Sequence, residues 1–261
     1  IRAAEFTSDG RQIVATARRH HFHVLDVHTG AVTRVPGIKG RKEKSFENFA
    51  MAPGPAGKYM AMVATSGNVL VLSQKNKQLL FSVKANADVV SCAFSGDGQT
   101  LRAITTSGEV YQWDLRTRRC LSRFADEGAV KGTAIACSPD DRFLACGSAS
   151  GVVNVYNTAT QGGARAAKPS LSKAIMNLTT QSDVLRFNGD GQLLAIGSTR
   201  AKDAMRVVHV PSQTVYANFP SFRTPIQYLS TIDFSPQSGY MAIGNARGRV
   251  LLYRLNAYTS S

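Results

Sequence analysis

The chain repeats itself, and that repetition constrains its fold more than any other feature. AAEFTSDGRQIVAT, NFAMAPGPAGKYMAM, SCAFSGDGQTLRAI, AIACSPDDRFLACG, VLRFNGDGQLLAIG and TIDFSPQSGYMAIG each join two apolar runs through a short polar turn. Anchored on Phe6, Met51, Phe94, Cys137, Phe187 and Phe234, the units recur at intervals of 45, 43, 43, 50 and 47 residues. A unit of this length cannot bury its own apolar faces and must stack on neighbours. A period of roughly 40–45 residues is that of a four-stranded propeller blade.

The local chemistry of the units points to strands. Asp9-Gly10, Asp97-Gly98 and Asp190-Gly191 are hairpin turns, where glycine accepts the positive φ of a tight turn. The flanking runs are rich in Val, Ile, Phe and Thr, and none shows sustained helical spacing. A third strand follows each pair: HFHVLDV, NVLVLS, EVYQWDL, VVNVYN, AMRVVHV and RVLLYRL. A fourth follows in five units: AVTRV, QLLFSV, RCLSRF, KAIMNLT and TVYANF. The expected fold is therefore all-β, a WD-repeat β-propeller with six repeats visible, the last lacking its fourth strand. The whole chain, 1–261, reads as one propeller domain. An open sheet edge is avoided in native proteins, so the expectation extends to a closing strand and about one blade supplied upstream of Ile1, seven blades in all.

Aligning the third strands gives two columns. One holds Leu25, Leu72, Trp113, Tyr156, Val208 and Tyr253, always a sizeable apolar or aromatic group, which suits packing between blades. The next holds Asp26, Ser73, Asp114, Asn157, His209 and Arg254, too varied to share a reaction. Trp113-Asp114, the pair formed with the only tryptophan, thus reads as architecture, with Asp114 accepting hydrogen bonds at the end of its strand.

Reactive motifs are few. Gly57-Lys58 has Ala52 in place of a phosphate-loop glycine and Tyr59 after the lysine, and no G-x-G-x-x-G follows a strand. GSASG, Gly147 to Gly151, has alanine where a nucleophile would stand and reads as a strand-to-strand turn with Ser148 and Ser150 solvated. His21 and His23 would share one face of a strand, but with no Cys or carboxylate nearby the cluster with His20 reads as a blade surface. Cys92, Cys120, Cys137 and Cys146 form no C-x-x-C pair and read as small buried hydrophobes in a reducing compartment. No apolar run is long enough to span a bilayer. No catalytic residue, metal, cofactor or small-molecule substrate is indicated.

Charge is more informative. The net charge is +14, divided evenly at +7 for residues 1–130 and +7 for 131–261, so the excess lies along the fold rather than in a tail. Such a body suits polyanionic surroundings, nucleic acid above all. The candidate RNA or partner contacts are Lys39, Arg41, Lys42 and Lys44 in one connection and Arg116, Arg118 and Arg119 in another, with Arg18 and Arg19 a third cluster. None carries interleaved aromatics. Thr158 to Ser172, the Gly/Ala/Pro-rich part of the longest interval, reads as a loop before strand returns at Lys173.

GEVYQWDLRTRRCLSRFADEG (Gly108 to Gly128), ACGSASGVVNVYN (Ala145 to Asn157), KAIMNL (Lys173 to Leu178) and DFSPQSGYMAIGNARGRVLLYRLNAY (Asp233 to Tyr258), with NFP at Asn218 to Pro220 and KEKSF from Lys42, carry a specific resemblance. The chain resembles, over essentially its whole length, the C-terminal WD-repeat propeller of the U-three small-nucleolar-RNA-associated protein eighteen family. The resemblance implies a nucleolar, non-enzymatic scaffold of ribosome biogenesis, a member of the UTP-B subcomplex of the small-subunit processome. Its implied partners are other WD-repeat subunits of UTP-B, the U-three small nucleolar RNA and pre-rRNA. Competing readings are a peptide-binding WD-repeat adaptor in signalling or ubiquitin ligation, which would hold a modified side chain in its channel, and an enzyme on a propeller scaffold, which would need acids or a metal meeting at the axis.

Overall fold

A computed structural model describes residues 1–38, 43, 45–54, 57–158, 169–221 and 224–258. The candidate contacts Lys39, Arg41, Lys42 and Lys44 lie outside the described residues, as does 159–168 of the long connection.

The described residues form antiparallel sheets of the blade type, three in each of two compact units, Ile1–Phe124 and Ala125–Ser261. In the first unit, sheet one is β1 (Ala3–Phe6), β2 (Gln12–Thr16), β3 (Phe22–Asp26) and β4 (Val32–Val35). Sheet two is β5 (Phe49–Met51), β6 (Tyr59–Val63), β7 (Asn68–Ser73) and β8 (Leu79–Lys84). Sheet three is β9 (Val89–Phe94), β10 (Thr100–Thr105), β11 (Glu109–Asp114) and β12 (Arg119–Ala125). In the second unit, sheet four is β13 (Gly132–Cys137), β14 (Phe143–Ser148), β15 (Val153–Asn157) and β16 (Ser170–Ile175). Sheet five is β17 (Val184–Phe187), β18 (Leu193–Gly197), β19 (Met205–His209) and β20 (Thr214–Val215), and sheet six is β21 (Leu229–Phe234), β22 (Tyr240–Asn245) and β23 (Val250–Arg254). Each sheet is a meander in sequence order. The fold is all-β, of the WD-repeat β-propeller class, and a 3-10 turn at Asn256–Tyr258 is its only helical piece among the described residues.

The two columns aligned by sequence occupy one register. Leu25, Leu72, Trp113, Tyr156, Val208 and Tyr253 each stand opposite a second-strand residue: Ile13, Met60, Leu101, Leu144, Leu194 and Met241. Within each unit the column faces the preceding sheet. Leu72 joins Val14, Phe22 and Val24 of sheet one, and Trp113 joins Ala61, Val69 and Val71 of sheet two. Val208 joins Ala145 and Val155 of sheet four, and Tyr253 packs on a core holding Ala195 and Val207 of sheet five. The middle strands of sheets two to five are thus largely buried on both faces, and all six residues of β10 are buried. Fourth strands are edge strands of their sheets and are mostly exposed or half-buried, as in β12, where Arg119 and Arg123 keep the edge solvated. Burying the Trp113 ring is worth on the order of 3 kcal/mol.

One turn recipe serves the first hairpins. The Thr7, Ser95 and Ser138 hydroxyls donate to the carboxylates of Asp9, Asp97 and Asp140, which accept the backbone N–H of Arg11, Gln99 and Arg142. The glycines after the first two aspartates take φ of 68° and 65°, as the sequence requires. In sheet four, where Asp140 is followed by Asp141 instead, that residue takes φ of 58°.

Four expectations need correction. β16 starts at Ser170, inside the stretch read as loop, because Asn157 and Tyr156 pair with Ser170 and Leu171 across a bulge. β20 has two residues, far short of TVYANF. Ser148 is buried and hydrogen-bonded to Ser150, so only Ser150 of the pair is solvated. Cys92 and Cys146 are buried but Cys120 is exposed and Cys137 half-buried, since β12 is an outer strand.

Candidate interaction surface

The hairpin between β11 and β12 builds the surface singled out by sequence. Tyr111 and Trp113 point to the same face of β11, their rings stacked at 5.4 Å and 13°. This pair anchors the strand end in the core, and Asp114 starts the turn. Its Oδ1 accepts the N–H of Arg116 at 2.7 Å and of Thr117 at 3.3 Å. Desolvation pushes the Asp114 carboxyl up, but these donors together outweigh it, and the group sits below its ordinary value. The charge it keeps at neutral pH holds the turn. Arg116, Arg118 and Arg119 then project into solvent.

Arg118 is placed from two sides. Its φ is 59°, in the left-handed region. Its guanidinium carbon lies 4.8 Å from the centroid of the Phe81 ring on β8, a cation–π contact worth about 0.5–1 kcal/mol at an exposed site. None of the three arginines forms an ion pair with a described residue. Arg123 differs: it reaches Glu109 at 3.6 Å and covers Tyr111 at 5.9 Å. Replacing Asp114 with alanine should loosen the turn at a cost of about 1 kcal/mol, read as a urea midpoint shift with faster amide exchange at Arg116 and Thr117.

Asp26 plays the same part on sheet one. Its Oδ1 accepts the N–H of Thr29 at 2.9 Å and of His28 at 3.0 Å, and these bonds, that of Thr29 foremost, lower its pKa. Tyr156 and Tyr253 share Trp113's register but end in hydroxyls. Tyr253 is half-buried, edge-on to Phe219, and donates to Thr224 at 3.3 Å.

Tyr156 is fully buried, and its surroundings were missed by sequence reasoning. The hydroxyl donates to Asp126 Oδ1 at 2.6 Å and accepts the Glu127 N–H at 2.8 Å. Asn154 donates to the same Asp126 oxygen at 2.8 Å and to the Glu127 carbonyl at 2.7 Å. Burial pushes the Asp126 carboxyl above its ordinary value and the Tyr156 phenol likewise. The signal was an acid directly after a fourth strand, in RFADEG, with an alternate-residue Asn-x-Tyr on the next third strand. Within the second unit, the network ties Asp126 and Glu127, ahead of β13, to β15.

The other sequence clusters separate. Arg18 and Arg2 both pair with Glu47, at 3.3 and 3.5 Å. His20, His21 and His23 meet edge-on in two contacts of 5.2 Å. His21 is buried beside Arg34, and burial, then that charge, lowers its pKa. No three His, Cys, Asp or Glu side chains among the described residues are grouped to hold a metal. Among the described residues, no helix is long and apolar enough to cross a membrane.

Comparison with known proteins adds to this geometry. The WD domain, G-beta repeat family matches residues 118–157, the fourth strand of sheet three plus the first three of sheet four. The chain is 39% identical over 256 residues to the U3 small nucleolar RNA-associated protein 18 homolog of Mus musculus, covering 97% of this chain and 46% of that protein. It is 40% identical over 256 residues to the homolog of Homo sapiens, covering 97% and 45%. With the homolog of Arabidopsis thaliana it is 40% identical over 262 residues, covering 100% and 47%. The chain spans about half the length of the curated relatives it matches.

Proposed function

This chain belongs to the U3 small nucleolar RNA-associated protein 18 family, and from that premise we propose that it is a non-enzymatic scaffold of ribosome biogenesis. In this reading it acts in the nucleolus, in the small-subunit processome, where pre-rRNA is processed towards small-subunit rRNA. Its partners are other WD-repeat subunits of UTP-B, the U3 small nucleolar RNA and pre-rRNA. The observation that carries the reading is identity of 39–40% sustained across nearly the whole chain.

The mechanism is display rather than conversion. Within each unit, apolar cores between successive sheets hold the strands rigid, and turns fixed by aspartates and serines present side chains at set positions. Rigid presentation lowers the entropy lost on binding. Arg116, Arg118 and Arg119 face RNA phosphates or an acidic protein surface in the particle; such contacts position a partner without reading sequence. The Lys39, Arg41, Lys42 and Lys44 connection belongs to the same proposal.

Affinity purification of the tagged full-length protein, with sequencing of the bound RNA, tests this. U3 RNA and pre-rRNA are the expected recovery. R116E/R118E/R119E should lower it by roughly tenfold, because each lost phosphate contact weakens a salt-dependent interaction, while the urea midpoint stays near that of the parent. Undiminished recovery would remove these arginines from the contact. Absence of U3 RNA from the parent purification would overturn the reading itself.

A further inference from the structure

Three segments distant in sequence are tied together in the second unit. They are the β18–β19 loop (Thr199–Ala204), the run into β21 (Thr224–Tyr228) and the β22–β23 turn (Ala246–Arg249). Asp203 N–H donates to the Gln227 carbonyl at 3.0 Å, and Gln227 N–H returns the bond to Asp203 Oδ1 at 2.9 Å. Both residues have positive φ, 54° and 67°, so this reciprocal link fixes both loops at once. Ala246 N–H donates to the Tyr228 carbonyl at 2.9 Å. Asn245, buried, donates to the carbonyl of fully buried Ile226 at 3.2 Å, and its own oxygen accepts the N–H of Arg247 at 3.1 Å and Arg249 at 3.0 Å.

This frame exposes Arg200, Lys202, Arg247 and Arg249. None of the four makes an ion pair with a described residue. The sole acid in the three segments, Asp203, is engaged by Gln227. Among the cations stands an aromatic ring: Tyr228 is 43% exposed, with the Lys202 ammonium 5.8 Å from its centroid. Tyr228 is absent from every basic cluster visible in the sequence, because its cationic neighbours come from other loops.

We propose that this surface binds single-stranded RNA, its cations on phosphates and Tyr228 stacked against a base. Cations combined with an exposed aromatic are the two components of sequence-tolerant single-strand binding. An acidic peptide would use the cations alone and leave the ring idle. A duplex keeps its base faces closed to it. The inference deepens the RNA-linked reading above and rests on it for the class of nucleic acid.

The test is fluorescence anisotropy of a labelled oligouridine with the purified full chain across a salt series. R200E/K202E/R247E/R249E should lose affinity by at least about tenfold and flatten the dependence of log K on log salt by about 3, at roughly 0.7 per phosphate contact. Y228A should lose about five- to hundredfold, while Y228F keeps parental affinity because stacking needs the ring and not the hydroxyl. Circular dichroism checks that the variants stay folded. Parental affinity and salt slope in the charge variant would overturn the proposal, as would parental affinity in Y228A. Competition by polyglutamate or duplex RNA equal to that by oligouridine would overturn it in favour of a charge-only surface. The assay uses purified components, so its failure is separable from failure to recover U3 RNA from cells.

Discussion

Gly151→Ala is expected to destabilise the protein by about 2–5 kcal/mol, a large share of the roughly 5–15 kcal/mol typical of a folded domain. Gly151 has φ of +87°, and a Cβ there would stand 2.5 Å from the Leu178 carbonyl oxygen and 2.7 Å from that of Thr180. A left-handed conformation alone costs an L-residue about 1–2 kcal/mol, and overpacking against backbone adds about 1–3 kcal/mol more. The obstructing atoms are main chain, so no rotamer change relieves them. Gly10 is the internal comparison: φ is +68° but no atom lies within 4 Å of its added Cβ, so Gly10→Ala should cost only the conformational part. Urea denaturation of both variants measures the difference. Equal midpoints would show that the approach of the 178–180 segment to Gly151 is not a packing constraint.

The second large effect is at Tyr156. Truncation to alanine removes a fully buried ring and should cost about 3–5 kcal/mol. Tyr156→Phe isolates the hydroxyl. It deprives Asp126 of one of its two side-chain donors and the Glu127 N–H of the Tyr156 oxygen, at about 1–3 kcal/mol. The pH dependence carries its own signature. Asp126 is buried, one of its carboxylate oxygens has no partner, and its folded pKa is raised by desolvation. The folded state therefore holds this proton more tightly than the unfolded chain, whose carboxyl titrates near its ordinary value of 3.8. Stability contributed by Asp126 is full below the unfolded pKa and declines as pH rises through the folded one. Asp126→Asn should remove that decline, seen as a flatter plot of unfolding free energy against pH above about 4. An unaltered pH profile would show that Asp126 titrates as it does in the unfolded chain.

Much of the fold was legible because its signals are local. A hairpin of Thr-Ser-Asp-Gly is decided by four neighbouring residues, and strand alternation by the period of the pleat. The third-strand columns aligned correctly because blade register repeats with the sequence. β20 failed the same reasoning: TVYANF has strand composition, but only Thr214 and Val215 pair with β19. The start of β16 was misread because a bulge, invisible as composition, shifts its pairing. Of the candidate surface, Arg116, Arg118 and Arg119 were legible as a cluster; the support of Arg118 by Phe81 was not, since the two are 37 positions apart.

The sequence alone determined the class of fold, the blade period, the turn chemistry and the excess of positive charge, all properties of residues close along the chain. Tertiary structure decided which cations stand together, which acids are occupied by turns, and that Asp126 is buried against Tyr156. Those outcomes depend on loops meeting across sheets: the segments that carry Arg200, Tyr228 and Arg249 are joined only because Asp203, Gln227 and Asn245 bind them into one frame.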